Sequence, residues 1–411
     1  MDFNDTPEEA AFRAEARTWL EANAEPLPPG KRRASGMDRD DLLPEAKAWQ
    51  AKKADHGWAC LTWPKEYGGR AAPGIHSVIF GQEESKFDVP PYMFGIGQGM
   101  LGPTIMAHGT EEQKTRYIEP LLRADEVWCQ LFSEPAAGSD LAGLRTSAVK
   151  DGDDWIVNGQ KIWTTGAHYS DFGMIVTRTD PTAAKHAGIT YFIVDMKSPG
   201  IEIRPIVQIN GAKDFNEVFF NDVRIPDANR VGAVNDGWRG AITTLMNERA
   251  SIGSGGGMGV GISDVLRLAR ETDWGGRKAI EDTSVRERIA DFYWKLKGLE
   301  YTGYRAQTSL SRGQTPGPEN SIGKMVGAPL RQEMAAFAME LQGAAGAASG
   351  DAASLGGAFQ AAWLGSPGLR LAGGTDEILH NIVAERVLGL PGEIRVDKEK
   401  AFQDIPTGSL K

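Results

Sequence analysis

The sequence predicts a mainly α-helical protein with a central β-domain: an N-terminal helical bundle, an antiparallel β-sandwich or barrel, and a C-terminal four-helix bundle. Three observations predict it. Up to about residue 124 the apolar residues recur with a helical period. From about 125 to 232 they form short runs bounded by Gly, Pro, Asn or Asp, with no helix-length pattern between them. From Gly237 the helical period returns. The expected domains are therefore 1–124, 125–232 and 233–411.

The first helix is announced by Thr6-Pro7-Glu8-Glu9, a capping Thr, a Pro at the first helical position and a Glu at the third. Phe12, Ala16, Trp19 and Leu20 then share a face. Further helices are expected over 40–56, 76–86 and 98–108, with a loop at Trp63-Pro64-Lys65-Glu66-Tyr67-Gly68-Gly69. Thr110-Glu111-Glu112-Gln113 is a second capping box and opens a helix to Leu122.

The stretch from Trp128 to Leu141 begins as an apolar run and ends in a Pro/Ala/Gly/Ser loop with an Asx-type residue, and so reads as a strand that turns into a loop. Asp154 to Trp163 holds two β-type runs around Asn158-Gly159, a hairpin signal. Strands follow at 172–177, 189–195, 201–206 and 217–223. In the last third, Trp238, Ile242, Leu245 and Ile252 share a helix face. Val285, Ile289, Phe292, Leu296 and Leu299 mark a long bundle helix. Ile322, Val326, Leu330, Met334, Phe337 and Leu341 mark its partner, with Pro329 as a kink. Residues 344–362, rich in Ala, Gly and Ser, suggest a flexible loop before a short aromatic segment. Thr375-Asp376-Glu377-Ile378 starts the last helix, which Gly389 and Pro391 end.

Composition narrows the function classes. A formal charge of -10 argues against a nucleic-acid binder, which needs a basic face. No apolar run is long enough to span a bilayer, and the acidic N-terminus lacks the features of a secretion signal, so a cytoplasmic location is expected. Two cysteines, Cys60 and Cys129, are too few for a disulfide framework and suit buried thiols. The six histidines show no ligand spacing, so no metal is expected.

Two stretches look like the walls of one pocket. Ser133 offers a hydroxyl in a loop whose backbone a ligand can approach. Trp163-Thr164-Thr165-Gly166 places an aromatic before two hydroxyls and a Gly, which can pack a flat ring and bond its polar edge. Gly253-Ser254-Gly255-Gly256-Gly257-Met258-Gly259-Val260-Gly261 imitates a nucleotide loop, but no register satisfies GxGxxG and no strand precedes it.

These pieces resemble the signatures of the acyl-CoA dehydrogenases. Leu131 to Asp140 is similar to the first, Asn158 to Gly166 to its companion, and Gly373-Gly374-Thr375-Asp376-Glu377-Ile378 with Ala384-Glu385-Arg386-Val387-Leu388-Gly389 to the C-terminal one. Trp63 to Gly69 matches an N-terminal one, so the resemblance runs in order over about residues 5 to 395. It implies FAD, an acyl-CoA thioester substrate oxidised to the α,β-enoyl-CoA, and electron-transfer flavoprotein as acceptor. It also implies a homodimer or tetramer, with a hetero-oligomer with a related chain as the alternative. Residue by residue, Phe132, Ser133, Ser139, Trp163, Thr165, Thr375 and Glu377 would contact FAD. Trp163 would pack on a flavin face and Thr165 reach O4 or N5. Ser139 would lie near the pyrophosphate or pantetheine, or serve only as a turn residue. Substrate would meet Ser139, Arg249 and the backbone N–H of Gly373.

The chain departs from the family pattern at the base. The position commonly held by the catalytic Glu is Gly373, which cannot take a proton. Some branches carry the base on the first C-terminal helix before an Arg, and Met246-Asn247-Glu248-Arg249-Ala250 places Glu248 there, at the edge of the Trp238, Ile242, Leu245 stripe. Two motifs for the neighbouring subunit's FAD contacts are altered: Arg270-Glu271-Thr272-Asp273-Trp274-Gly275 has its Arg one residue too far, and Glu340-Leu341-Gln342-Gly343-Ala344 has an acid where an amide is usual. The expected function is FAD-dependent acyl-CoA dehydrogenation with Glu248 as base. The alternatives are a non-catalytic or half-site subunit of a hetero-oligomer, and an acyl-CoA oxidase.

Overall fold

The computed structural model describes residues 5–28, 40–253, 260–312, 317–318, 321–348, 350, 353–392, 394, 397 and 399–405. The chain separates into two compact units, one of residues 11–251 with 393–411, the other of residues 1–10 with 252–392. The glycine-rich stretch 254–259 lies outside the described residues.

In the first unit, helices α1 (Pro7–Asn23), α2 (Leu43–Asp55), α3 (Gly74–Glu84), α4 (Gly102–His108) and α5 (Glu111–Arg123) precede the sheet. Both capping boxes form. The Glu9 N–H donates to Thr6 Oγ1 at 3.2 Å while the Thr6 N–H donates to Glu9 Oε2 at 2.8 Å, and Thr110 and Gln113 repeat the exchange. The helix expected over 98–108 divides into a π-helical turn, Gly97–Leu101, followed by α4. Glu83, fully buried on α3, accepts from Arg13, Arg17 and Lys86 at 3.1, 3.0 and 2.8 Å. Burial alone would raise its pKa, but these three cations bring it from 4.5 down to about 2.

The sheet has eight strands: β1 (Trp128–Leu131), β2 (Ser147–Asp151), β3 (Asp154–Thr165), β4 (Phe172–Arg178), β5 (Ile189–Asp195), β6 (Ile201–Pro205), β7 (Phe215–Pro226) and β8 (Arg230–Val231). Their order is β6-β7-β3-β2-β4-β5-β8, with β1 also beside β4. Most neighbours are antiparallel as expected, but β1 and β2 both run parallel to β4. Strand direction of this kind depends on which strands meet, which local pattern does not encode. Asn158-Gly159 is not the hairpin turn. β3 runs straight through it, and the turn is Gly152-Asp153, since Asp151 pairs with Asp154. Asn158 instead exchanges two hydrogen bonds of 2.9 Å with Asp222 across β7. Gly159 makes a bulge pressed on Thr146, where a Cβ would lie 2.5 Å from the hydroxyl.

Both faces of the sheet are buried. Trp128, Met174, Val176, Tyr191 and Ile193 pack with Leu101, Ile105, Ile118 and Leu121 of the helices. Cys129, Ile175, Phe192, Val194 and Val218 pack on the other side. This is why β4 and β5 read as continuous apolar runs. Cys60 and Cys129 are free thiols, and burial pushes both up to about 12.

Helix α6 (Gly237–Gly253) corrects the face read from the sequence. Its buried stripe is Gly237, Gly240, Ala241 and Thr244, while Ile242 is exposed and Trp238 and Leu245 are half-buried. Small residues win because the helix lies close on β5: a Cβ on Gly240 would stand 2.7 Å from the Tyr191 ring. Ile252 has no described side chain.

The second unit is helical. α7 (Ile262–Glu271), α8 (Thr283–Ser311), α9 (Ser321–Leu341) and α10 (Ala358–Leu371) share a core of Val265, Leu268, Val285, Phe292, Met334 and Phe359, and α11 (Asp376–Arg386) packs against α9. α10 occupies part of the stretch expected to be a loop and short aromatic segment. Gly365, Pro367 and Gly368 lie inside it and disfavour helix, so packing decides, with Phe359 buried as its anchor. Pro329 lies inside α9. Among the described residues no helix is long and apolar enough to cross a membrane.

Candidate functional site

The two expected walls are joined side by side. The Ile162 N–H donates to Ser133 O at 2.9 Å. Lys161, completely buried, donates to Phe132 O at 3.0 Å and to Glu134 Oε1 at 2.8 Å. The Glu134 carboxylate also accepts from the backbone N–H groups of Arg145 and Thr146 at 2.6 and 2.9 Å. Both Glu134 oxygens are therefore bonded, and the Lys161 ammonium has two acceptors, so neither buried charge is left without a partner. Burial alone would raise the Glu134 pKa, but the Lys161 ammonium and these donors hold it net below its ordinary range.

This lock fixes what stands above it. β3 slips register between Lys161 and Thr164, and there Trp163 takes a left-handed backbone, φ 59, with 56% of its surface exposed. A bulky side chain in that region is strained by about 1–3 kcal/mol, and such strain concentrates at ligand sites. Phe215 meets the indole edge-on at 6.0 Å, steadying it without covering its plane. Ser133 and Thr165 are half-buried beside it and Phe132 is buried beneath, edge-on to Tyr191. An open aromatic plane flanked by hydroxyls and backbone fits a flat, polar-edged ring such as a flavin.

Ser139 is exposed in the loop that leaves this wall. Its neighbour Asp140 accepts from Lys185 at 2.7 Å, and Lys185 also donates to Asp397 at 2.5 Å. Nearby, Phe402 is buried with the Arg178 guanidinium 3.8 Å from its ring centre and that of Arg145 at 5.3 Å. Sequence reading missed this clamp, whose parts lie far apart in the chain.

Glu248 lies half-buried on α6, one turn beyond Thr244 and so in line with the buried stripe rather than at the edge of an apolar one. Arg249 follows it in the helix, and its side chain is outside the described residues.

The remaining expected residues belong to the helical unit. Gly373 and Gly374 both have left-handed φ, 66 and 96. Lys324 of α9 donates to the carbonyls of Ala372 and Gly374, and Arg370 donates to Asp376 at 2.7 Å. Lys324, Arg370 and the buried Asp376, which the sequence reading did not single out, hold this turn. Thr375 caps α11, its hydroxyl accepting from the Ile378 N–H at 3.3 Å. Glu377, exposed in the first turn, has its pKa lowered by backbone N–H donation and by the Thr375 hydroxyl. Arg270 and Glu340 are both exposed. Among the described residues no group of His, Cys, Asp and Glu is arranged to hold a metal.

Comparison with known proteins covers almost the whole chain. Residues 6–125, 129–223 and 235–388 match the family models for the acyl-CoA dehydrogenase N-terminal, middle and C-terminal domains. The acyl-CoA dehydrogenase IpdE1 of Mycobacterium tuberculosis is 37% identical over 396 residues, 93% of this chain and 98% of that one. Its namesake from Mycolicibacterium smegmatis is 36% identical over 93% of this chain and 98% of that one. Among solved structures, the Tcur3481–Tcur3483 steroid ACAD aligns with a TM-score of 0.79 at 29% identity, covering 96% of this chain and 100% of that one. The ChsE4–ChsE5 complex of Mycobacterium tuberculosis aligns at 0.77 and 30% identity, covering 96% of this chain and 100% of that one.

Proposed function

From the fact that the chain belongs to the acyl-CoA dehydrogenase family of FAD-dependent oxidoreductases, we propose that it desaturates an acyl-CoA thioester between Cα and Cβ with Glu248 as the base. The observation that carries the cofactor assignment is Trp163, strained and open above the Lys161–Glu134 lock. Trp163, Phe132, Ser133 and Thr165 are the residues that would hold the flavin ring. Thr375 and Glu377 would approach its diphosphate and ribose, and Ser139 the pyrophosphate or pantetheine. When bound, FAD supplies a hydride acceptor for the substrate β-carbon.

The chain's own residues must handle the α-proton and the developing enolate. Glu248 takes the α-proton, and its half-burial keeps the carboxylate beside an apolar acyl chain instead of in bulk water. The Gly373 N–H donates to the thioester oxygen, a role that survives the loss of a side chain there. Arg249 would orient the thioester. The acceptor is electron-transfer flavoprotein and the enzyme works in the cytoplasm. One structural relative is a steroid ACAD of two components and another is a two-component complex, and on that ground the acyl group is bulky and polycyclic.

Glu248→Gln tests the base directly. The variant is expected to keep its flavin spectrum and lose turnover by at least about 100-fold. A rate near that of the wild type would remove Glu248 from the mechanism. Flavin bleaching with straight, branched and steroid-like thioesters tests the substrate class.

A second reading is favoured by the altered neighbour-facing motifs: Arg270 and Glu340 are exposed and do not follow the family pattern. In that reading the chain completes its FAD site with a related but different chain. Co-expression with such a partner would raise flavin content above that of the chain purified alone, whereas full flavin occupancy in a homo-oligomer excludes it.

A further inference from the structure

The stripe along α6 that ends at Glu248 makes one continuous contact with β5 and α4. Gly237 lies against the Thr190 backbone, where a Cβ would come within 2.6 Å. Gly240 lies on the Tyr191 ring, which a Cβ would meet at 2.7 Å. One turn on, Thr244 is completely buried, and its hydroxyl touches Tyr191 OH at 3.1 Å and Thr104 Oγ1 at 2.8 Å. Thr244 Oγ1 also lies 3.1 Å from Gly240 O, and Thr104 Oγ1 2.9 Å from Met100 O in the π-helical turn, so the three hydroxyl protons serve three of these four contacts at a time, and one carbonyl is left whenever Thr104 and Thr244 bond each other. Three hydroxyls from α4, β5 and α6 thus meet in a dry core. The next residue in the stripe, four positions on, is Glu248.

A helix face of Gly and Ala has little shape of its own to fix rotation or height. Apolar contact is non-directional, whereas hydrogen bonds between buried hydroxyls have one geometry. Gly240 lets Tyr191 come close enough for its hydroxyl to reach Thr244 one turn along.

We propose that Thr244, Tyr191 and Thr104 form a positioning lock that sets the rotation and height of α6, and thereby the placement of the Glu248 carboxylate against the substrate α-carbon. The inference rests on the reading of Glu248 as base. The three residues are positioning residues and touch no reacting atom.

The test uses the FAD-loaded enzyme with Tyr191→Phe, Thr244→Val, Thr104→Val and Thr244→Ser. Turnover is measured together with exchange of the substrate α-hydrogen in deuterated buffer, followed by mass spectrometry, which reports on α-deprotonation without the hydride step. Tyr191→Phe and Thr244→Val are expected to lower kcat and α-exchange together by about 10- to 100-fold, with KM within about threefold and flavin content unchanged. Thr244→Ser, which restores the hydroxyl, should return both to within about threefold. Should a Val variant lose its fold, Tyr191→Phe decides, since it removes one oxygen and leaves the ring on Gly240. Unchanged kcat and α-exchange in Tyr191→Phe overturns the lock. A parallel fall in KM and flavin content that Ser does not repair also overturns it. Glu248→Gln separates the two claims: an inactive Glu248→Gln beside a normal Tyr191→Phe sinks the lock alone, and an active Glu248→Gln sinks the base reading.

Discussion

In the sheet unit, the charged side chains Lys161 and Glu134 are taken out of water and paired inside the chain, with Phe132 O and the N–H groups of Arg145 and Thr146 completing the network. In the helical unit, the conspicuous side chains are large apolar ones left in water: Trp294 is 64% exposed, Leu371 and Leu388 65%, and Tyr293, Tyr301 and Trp363 are also open. The wall is finished by its own sequence. The bundle leaves large apolar side chains open, a kind of surface that in soluble proteins often accompanies contact with another molecule. Damage to the wall should therefore appear as lost folding of single chains, and damage to the open bundle faces as lost assembly.

The sharpest test of that contrast is Lys161→Met, which leaves Glu134 buried without its cation. It should destabilise the fold by about 3–5 kcal/mol in denaturant titration, with the flavin released first. A loss below about 1 kcal/mol would mean that the wall is not held by this pair.

Acid should reveal the same asymmetry. Glu134 and Glu83 both have folded pKa values below their ordinary 4.5, Glu83 at about 2. A depressed carboxylate contributes stability that is complete above the unfolded pKa and is lost as pH falls through the folded one. Stability of the sheet unit should thus hold above about pH 4.5 and decline from there towards pH 2. Glu134→Gln and Glu83→Gln, monitored by circular dichroism, should flatten that decline. An equally steep decline in both variants would assign it to other groups.

On the bundle side, Trp294→Lys is expected to shift the oligomer towards smaller species in light scattering while each chain stays folded, a loss of about 1–3 kcal/mol of association at a central position. An unchanged mass would show that this face of α8 is not a contact. The smallest effect is expected at the exposed Arg204–Glu202 pair, 2.7 Å apart: Arg204→Ala should leave the denaturant midpoint unchanged within error, since water and salt screen an exposed pair.

What the sequence showed follows from how local each signal is. Thr6 to Glu9 and Thr110 to Gln113 are complete in four residues, and both boxes form as read. The two walls were legible because their residue types already suit a ring. Their lock was not, because Lys161 and Glu134 are 27 positions apart and a Lys inside a strand usually faces water. Asn158-Gly159 misled because the same dipeptide serves a turn and a bulge, and Asp222 on the opposite strand decided between them. The buried face of α6 was misread because size ranks Trp238 and Ile242 above glycine, whereas close approach to Tyr191 requires glycine. α10 was missed because Ala- and Gly-rich composition suits loops as well as helices.

The clamp on the Ser139 loop has a consequence for how the protein is made. Lys185 joins Asp140 to Asp397, and that second link spans 212 positions. At about 5–20 residues per second a ribosome needs roughly 10–40 s to travel that far. For most of this interval, once β8 has been made, the nascent sheet has its strands but not its fastening, with Arg178 and Arg145 still waiting for Phe402. A pause in synthesis between those positions would hold the loop open, in reach of proteases and chaperones, until the last ring arrives.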